Sequence, residues 1–209
     1  MTIIKSPIHQ YQKYYQNGDR REIFKLLVDY YDIQSALYPG SYIHIAPSFY
    51  IPKTVYVDSY KKIKNFFNNG IIFEFIEKNR VYKKKPTVRF HNSNYNLDFG
   101  EKLEDFDLLI SLHAGFVSQS CKKYLKEEGI LLANNSHGDA SMAHLDTDYK
   151  FIAKIYRANR QYWLTDKNLE NYFVPKKRNL KITKKYLKEI QRGVGYTKTA
   201  SAYVFRKMK

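Results

Sequence analysis

A single cysteine in 209 residues leaves this chain without an internal disulfide and without a cysteine-based zinc site. Cys121 lies on an amphipathic stretch, where a small buried apolar side chain is expected. No apolar run approaches the ~18 residues that a membrane span needs, and Met1 to Lys5 lead into no signal-peptide core. A cytoplasmic chain with no membrane partner is the expectation. Glycine is scarce, at nine residues, and no glycine-rich phosphate loop stands anywhere. Pro/Gly/Ser-rich linkers, repeats and low-complexity tracts are missing too, so one domain with small additions is expected. Acids are outnumbered, 20 against 36 Lys and Arg, giving a net charge of +16. Such a basic protein attracts polyanions. An AT-rich genome would also favour Lys, Asn, Ile and Tyr, but that bias does not explain the shortage of acids.

What is present alternates between strand and helix patterns. Ser6 to Tyr38 is helical in spacing, with Ile23, Leu26, Leu27, Tyr30 and Tyr31 on one face, and Pro39-Gly40 ends it. YIHIA (42–46) and TVYVD (54–58) read as strands one and two, followed by a helix over 59–69. Residues 71–78 fit helix or strand, and Glu74 and Glu77 favour helix. TVRFH (87–91) is a third strand, and FDLLISL (106–112) is a fourth, apolar enough to be buried on both faces. A helix over 117–128, capped by Gly129, then leads into GILLA (129–133) as a fifth strand. A short helix over 139–145, a half-exposed or edge strand over 150–157, a basic helix over 180–192 and a closing strand over 199–208 complete the chain. The alternation predicts an α/β three-layer sandwich, with a mostly parallel sheet.

In such sheets ligands bind beyond the carboxyl ends of the strands, where strand order reverses. Asp58 ends the second strand; its two carboxylate oxygens could accept both hydroxyls of a ribose, or it could cap the next helix. Asn94 follows the third strand and could read an adenine edge with its amide, or simply shape an Asn-rich turn. His113 follows the fourth, as a general base, a cleft-lining residue or a structural histidine. After the fifth comes NNSHGD (134–139), where Asn134 and His137 are weak catalytic candidates; turn chemistry and helix capping are the alternative. No metal is expected, because His137 and Asp139 lack partners at ligand spacing. Ser136 beside His137 lacks the G-x-S-x-G elbow of a nucleophile. KKRNLKITKKYLKEIQR (176–192) could grip phosphates, with Tyr172, Tyr186 and Tyr196 to stack on bases, or could be a solvated helix face.

KYLKEEGILLAN (123–134) resembles the helix, glycine and fifth strand of the class I, Rossmann-like S-adenosylmethionine-dependent methyltransferases. FDLLISL resembles their fourth strand, and AYVFRKM (202–208) the final antiparallel strand that inserts beside the fifth. The resemblance spans about Leu37 to Lys209. It implies a seven-stranded Rossmann-like sheet over 37–209, with residues 1–36 as a helical segment packed on it. It also implies S-adenosylmethionine as cofactor and a methyl acceptor left open, nucleic acid or another anionic substrate among the choices. The cofactor residues implied are Ala46, Pro47, Ser48 and Phe49 after strand one, Asp58, Asn94, and Ser111, His113 and Gly115 along the cleft. One departure stands out. The family's first loop carries G-x-G, whereas here Gly40 precedes the expected first strand and Pro47 removes a backbone donor. A catalytically inactive Rossmann-like module that binds nucleic acid, and another nucleotide-using α/β enzyme such as a dehydrogenase, are the competing expectations.

Overall fold

The computed structural model describes residues 6–209; Met1 to Lys5, which open the expected N-terminal segment, lie outside the described residues. Helix α1 (Pro7–Tyr14) starts where Ser6 Oγ accepts the backbone N–H of His9 and Pro7 occupies the first turn. Helix α2 (Arg21–Tyr30) buries Ile23, Phe24 and Leu27. The helical pattern stops at Tyr30. Ser35–Pro39, expected as the end of a helix, is instead strand β1, buried at all five positions. The expected boundary between residues 36 and 37 therefore falls inside a strand.

YIHIA is not a strand. Tyr42 has φ 48°, and the chain then turns into a short 3-10 helix, Ala46–Phe49. Its apolar residues Ile43, Ile45 and Ala46 bury as a plug in the core rather than along a ladder. Periodicity cannot separate these two uses of a short apolar run. SALYP was hidden for the opposite reason: Ser, Ala and Leu carry no strand preference, and a Pro in the run argues against an interior strand.

Beyond this point β2 (Lys53–Val57) pairs with β1 in parallel, Leu37 opposite Val55. A 3-10 turn at Lys61–Ile63 and two helices, α3 (Lys64–Phe67) and α4 (Gly70–Asn79), lead to β3 (Thr87–His91). Strand β4 (Phe106–Ser111) returns to the far side of β1. The helix expected over 117–128 is much shorter. It comprises α5 (Val117–Ser120) and a 3-10 turn, after which β5 (Leu125–Ala133) already begins. Its register against β4 jumps from Phe106↔Leu125 to Leu108↔Ile130, so Lys126–Gly129 form a bulge that the sequence pattern presented as the end of a helix.

Helix α6 (Asp139–His144), the hairpin β6 (Tyr149–Ala158) and β7 (Gln161–Thr165), helix α7 (Lys184–Ile190) and β8 (Ala202–Lys207) finish the chain. Strand β6 is not an edge: β7, which was not anticipated, covers its outer side. Among the described residues the sheet has eight strands in the order β3-β2-β1-β4-β5-β8-β6-β7, with β8 antiparallel between β5 and β6. Alternate residues of β1 face opposite layers. Ala36 and Tyr38 pack with α2 and α4, while Leu37 packs with Val117, Cys121 and Tyr124. The result is a three-layer α/β sandwich, a Rossmann-like sheet with antiparallel strands at its C-terminal side.

Candidate functional site

Strand order reverses between β1 and β4: the chain lays β2 and β3 on one side of β1, then crosses to place β4 on the other. A cleft of about 550 Å³ opens there, at the carboxyl ends of both strands. Its floor is Tyr38, Gly40, Ser41, Tyr42, Leu112 and His113, and its outer wall is the N-terminal segment, through Tyr14, Tyr15 and Gly18 to Arg20.

The reassigned first strand puts a glycine where the expected strand had none. Gly40 directly follows β1, with φ 66° and its N–H donated to the carbonyl of Val57 at 2.8 Å. A Cβ there would lie 2.6 Å from the Cβ of Ala114, so both the conformation and the space require glycine. The two strand-end loops can approach only because of this. Tyr42 N then donates to Asp58 Oδ2 at 2.9 Å, and Tyr60 N to Oδ1 at 2.9 Å. Asp58 thus fastens the loop after β1 to the end of β2. Each of its oxygens retains a second acceptor direction.

A buried chain of polar groups connects floor to wall. His44 Nε2 donates to the carbonyl of Asp19 at 2.6 Å, which leaves Nδ1 to accept from the Tyr38 hydroxyl at 3.0 Å. Burial lowers the His44 pKa to about 4, so the ring is neutral. Asp19 in turn takes Tyr11 Oη at 2.5 Å and Arg21 Nη2 at 2.7 Å. Burial alone would raise its pKa, but the Arg21 and Tyr11 hydrogen bonds bring it below the usual carboxylate value. Arg20, the residue before α2, reaches back to His113 across the cleft.

The sequence-derived site residues fall into two sets. Ala46, Pro47, Ser48 and Phe49 do not line the cleft: all four are buried in the 3-10 helix, and Ser48 Oγ bonds Tyr56 Oη at 2.6 Å. Misplacing strand one by seven residues moved its loop by the same amount. Of the rest only His113 lines the cleft, at the end of β4; Asp58 and Gly115 stand at the ends of β2 and β4 outside its lining. Gly115 N donates to Tyr95 Oη at 3.2 Å, linking the loop after β4 to the one after β3. Asn94 is exposed beside Tyr95, with its Oδ1 accepting from Asn96 N at 2.9 Å. Ser111 is buried and donates to Asp139 Oδ2 at 2.5 Å; Ser118 supplies its N–H and hydroxyl to the same carboxylate. Burial raises the Asp139 pKa to about 6, against the pull of those three donors. Asn134 is also buried, its Oδ1 accepting from Ser136 Oγ at 2.9 Å, while His137 Nδ1 meets that hydroxyl at 3.0 Å on the surface. The sequence reading missed the whole wall from Tyr14 to Arg20. Its signal was present in Gly18-Asp19, a helix break placed inside a segment read as continuous helix.

Among the described residues no three His, Cys, Asp or Glu side chains stand where they could hold a metal ion, and no helix is long and apolar enough to cross a membrane. Cys121 is buried, and burial pushes its thiol pKa up to about 12.

No family model and no curated protein sequence matches the chain. Solved structures do. A SAM-dependent O-methyltransferase from Thermotoga maritima aligns over 99% of this chain and 72% of its own, at 10% identity and a TM-score of 0.49. The O-methyltransferase TomG from Streptomyces achromogenes, involved in tomaymycin synthesis and solved in complex with SAM, aligns over 70% of this chain and 77% of its own, at 10% identity and a TM-score of 0.47. The YcgJ protein from Bacillus subtilis matches at 16% identity and a TM-score of 0.40, over 60% of this chain; the chain covers 56% of that protein. The sheet order itself assigns the fold, a Rossmann-like α/β sandwich in which the antiparallel strand β8 inserts between β5 and β6.

Proposed function

We propose that the chain is an S-adenosylmethionine-dependent methyltransferase that takes its cofactor along the ends of β1, β2 and β3. The observation that carries this reading is the Gly40 turn locked to Asp58 at the topological switch point. A Cβ at Gly40 would collide with Ala114, so glycine lets the loops after β1 and β4 close on each other at the switch point, and the free acceptor directions of Asp58 suit the paired hydroxyls of a ribose. Backbone at Gly40 to Tyr42 would face the methionine end, and the Asn94–Tyr95 loop the adenine.

When bound, S-adenosylmethionine supplies an electrophilic methyl group on a sulfonium centre. The chain's own task is to align an acceptor with it and to keep water out, which accounts for much of the rate in reactions of this kind. Tyr14, Tyr15 and Arg20 form the outer wall against which an acceptor would be held. His113 could take a proton from an acceptor only once Arg20 releases its Nε2.

Calorimetric titration with S-adenosylhomocysteine tests the reading. Binding by the intact protein and weaker binding by Asp58→Ala, folded by circular dichroism, is the expected result. No heat at millimolar ligand with the intact protein would remove the cofactor assignment.

A further inference from the structure

We propose that the methyl acceptor is a single-stranded nucleic acid, its phosphates running over the basic segment 176–192 and one unpaired base entering the tyrosine-walled cleft. This rests on the methyltransferase reading for the chemistry, but its binding surface is argued from two separate features.

The first is charge placed beside the site. Residues 176–192 hold eight cations and one acid, Glu189. Of those cations only Lys184 makes an ion pair among the described residues, with Asp146 at 3.4 Å. The segment does not trail away from the fold. Gly193 N donates to Ser136 O at 3.2 Å, Lys176 N to Gly195 O at 3.0 Å, and Tyr196 Oη to Ser141 Oγ at 2.7 Å. A Cβ at Gly138 would lie 2.9 Å from the carbonyl of Arg192. Arg192 and Lys176 are therefore pinned over the loop that follows β5. A groove of about 470 Å³ runs there, between Asn134, Ser136, Arg192 and Gly195. Ser111 of β4 pairs with Ala133 of β5, so this loop is the neighbour of the His113 loop, one strand spacing of ~5 Å away. The basic track thus borders the cleft mouth.

The second feature is the cleft wall. Tyr14 is 61% exposed, with its ring centroid 5.0 Å from Tyr42 and 4.9 Å from Tyr15. Tyr42 continues to Tyr60 at 6.1 Å. Exposed aromatic faces at the entrance of a polar cavity are platforms on which a planar base stacks without sequence preference. A base stacked inside a duplex reaches them only by flipping out at the cost of its stacking and pairing, which favours single strands. Cations for the backbone and aromatic faces for the base are the two requirements of such binding.

The test is fluorescence anisotropy with labelled 20-residue RNA and DNA oligonucleotides of mixed sequence, titrated at several salt concentrations. Single strands should bind in preference to duplex, with affinity falling steeply as salt rises. The triple variant Lys177→Glu, Arg178→Glu, Arg192→Glu should bind at least about tenfold more weakly and show a shallower salt slope. Tyr14→Ala should lose about fivefold or more in affinity at an unchanged salt slope, and Tyr14→Phe should retain it. Comparison of the RNA and DNA arms identifies the natural strand. Equal binding of duplex, equal displacement by polyglutamate, or unchanged affinity in the triple variant would each overturn the proposal. Titration with S-adenosylhomocysteine on the same variants separates the two readings: cofactor binding without strand binding rejects only the acceptor, and the reverse rejects only the methyltransferase.

Discussion

Arg20 Nη1 donates to His113 Nε2 at 2.9 Å across the mouth of the cleft, and both residues hold left-handed backbone, with φ of 55° and 60°. Guanidinium has no acceptor, so the imidazole must be neutral and protonated on Nδ1. Burial, then the charge of Arg20, then His137 lower the His113 pKa below its ordinary value. The folded state therefore prefers the neutral ring. Its stabilisation is complete above pH ~6.5 and is lost as pH falls through the lowered folded value. Melting temperatures measured from pH 8 to 5 should drop on the acid side. His113→Gln, which keeps an acceptor and cannot titrate, should drop less.

Asp139 acts with the opposite sign. Its pKa is raised to about 6, so its contribution is complete below the ordinary carboxylate value and is lost as pH rises through about 6. Between pH 4 and 6 it opposes the loss from His44, whose pKa is lowered to about 4. Asp139→Asn removes that compensation and leaves one oxygen for three donors. The variant should be less stable at pH 7 by ~1–3 kcal/mol in urea denaturation, and its melting temperature should fall more steeply with acid than that of the parent.

Gly40→Ala should cost ~1–2 kcal/mol from the left-handed backbone alone, and more from the contact with Ala114. Adding Ala114→Gly should recover the contact part and leave the backbone part. Guanidinium denaturation of both single variants and the double variant separates the two. Affinity for S-adenosylhomocysteine should fall in Gly40→Ala and partly return in the pair.

Asp58→Asn offers one carboxamide oxygen where Tyr42 N and Tyr60 N each have their own. Loss at the part-buried Tyr42 N would cost ~1 kcal/mol of stability, and less at the exposed Tyr60 N. The same change exchanges an acceptor for an amide donor at the position proposed to meet the ribose. Ligand affinity should therefore fall further than stability does, a separation that paired calorimetry and melting curves can read.

Strands whose side chains are apolar on both faces were legible in the sequence: FDLLISL and GILLA became β4 and the core of β5, and AYVFRK became β8. SALYP was not, because Ser35, Ala36 and Leu37 lack strand preference, Pro39 argues against it, and tertiary pairing with β2 and β4 supplies the conformation. YIHIA misled because alternating apolar residues serve a buried plug as well as a strand. The site inherited both errors. Asp58 and His113 follow strands that were read correctly and stand at the ends of β2 and β4, whereas Ala46 to Phe49 followed the misplaced strand and ended in the core. Arg20 and Tyr14 come from the N-terminal segment, where Gly18-Asp19 marked the helix break but not its approach to the strand ends.

The insertion of β8 between β5 and β6 sets an order on assembly. About 70 residues separate the end of β5 from the start of β8, which at ribosomal speeds of ~5–20 residues per second leaves the free edge of β5 uncovered for several seconds. During that interval the β6–β7 hairpin has no neighbour in the sheet, and two apolar strand edges await the same partner. Residues 202–207 thus act as a keystone: until they arrive the protein is an incomplete sheet and a loose hairpin.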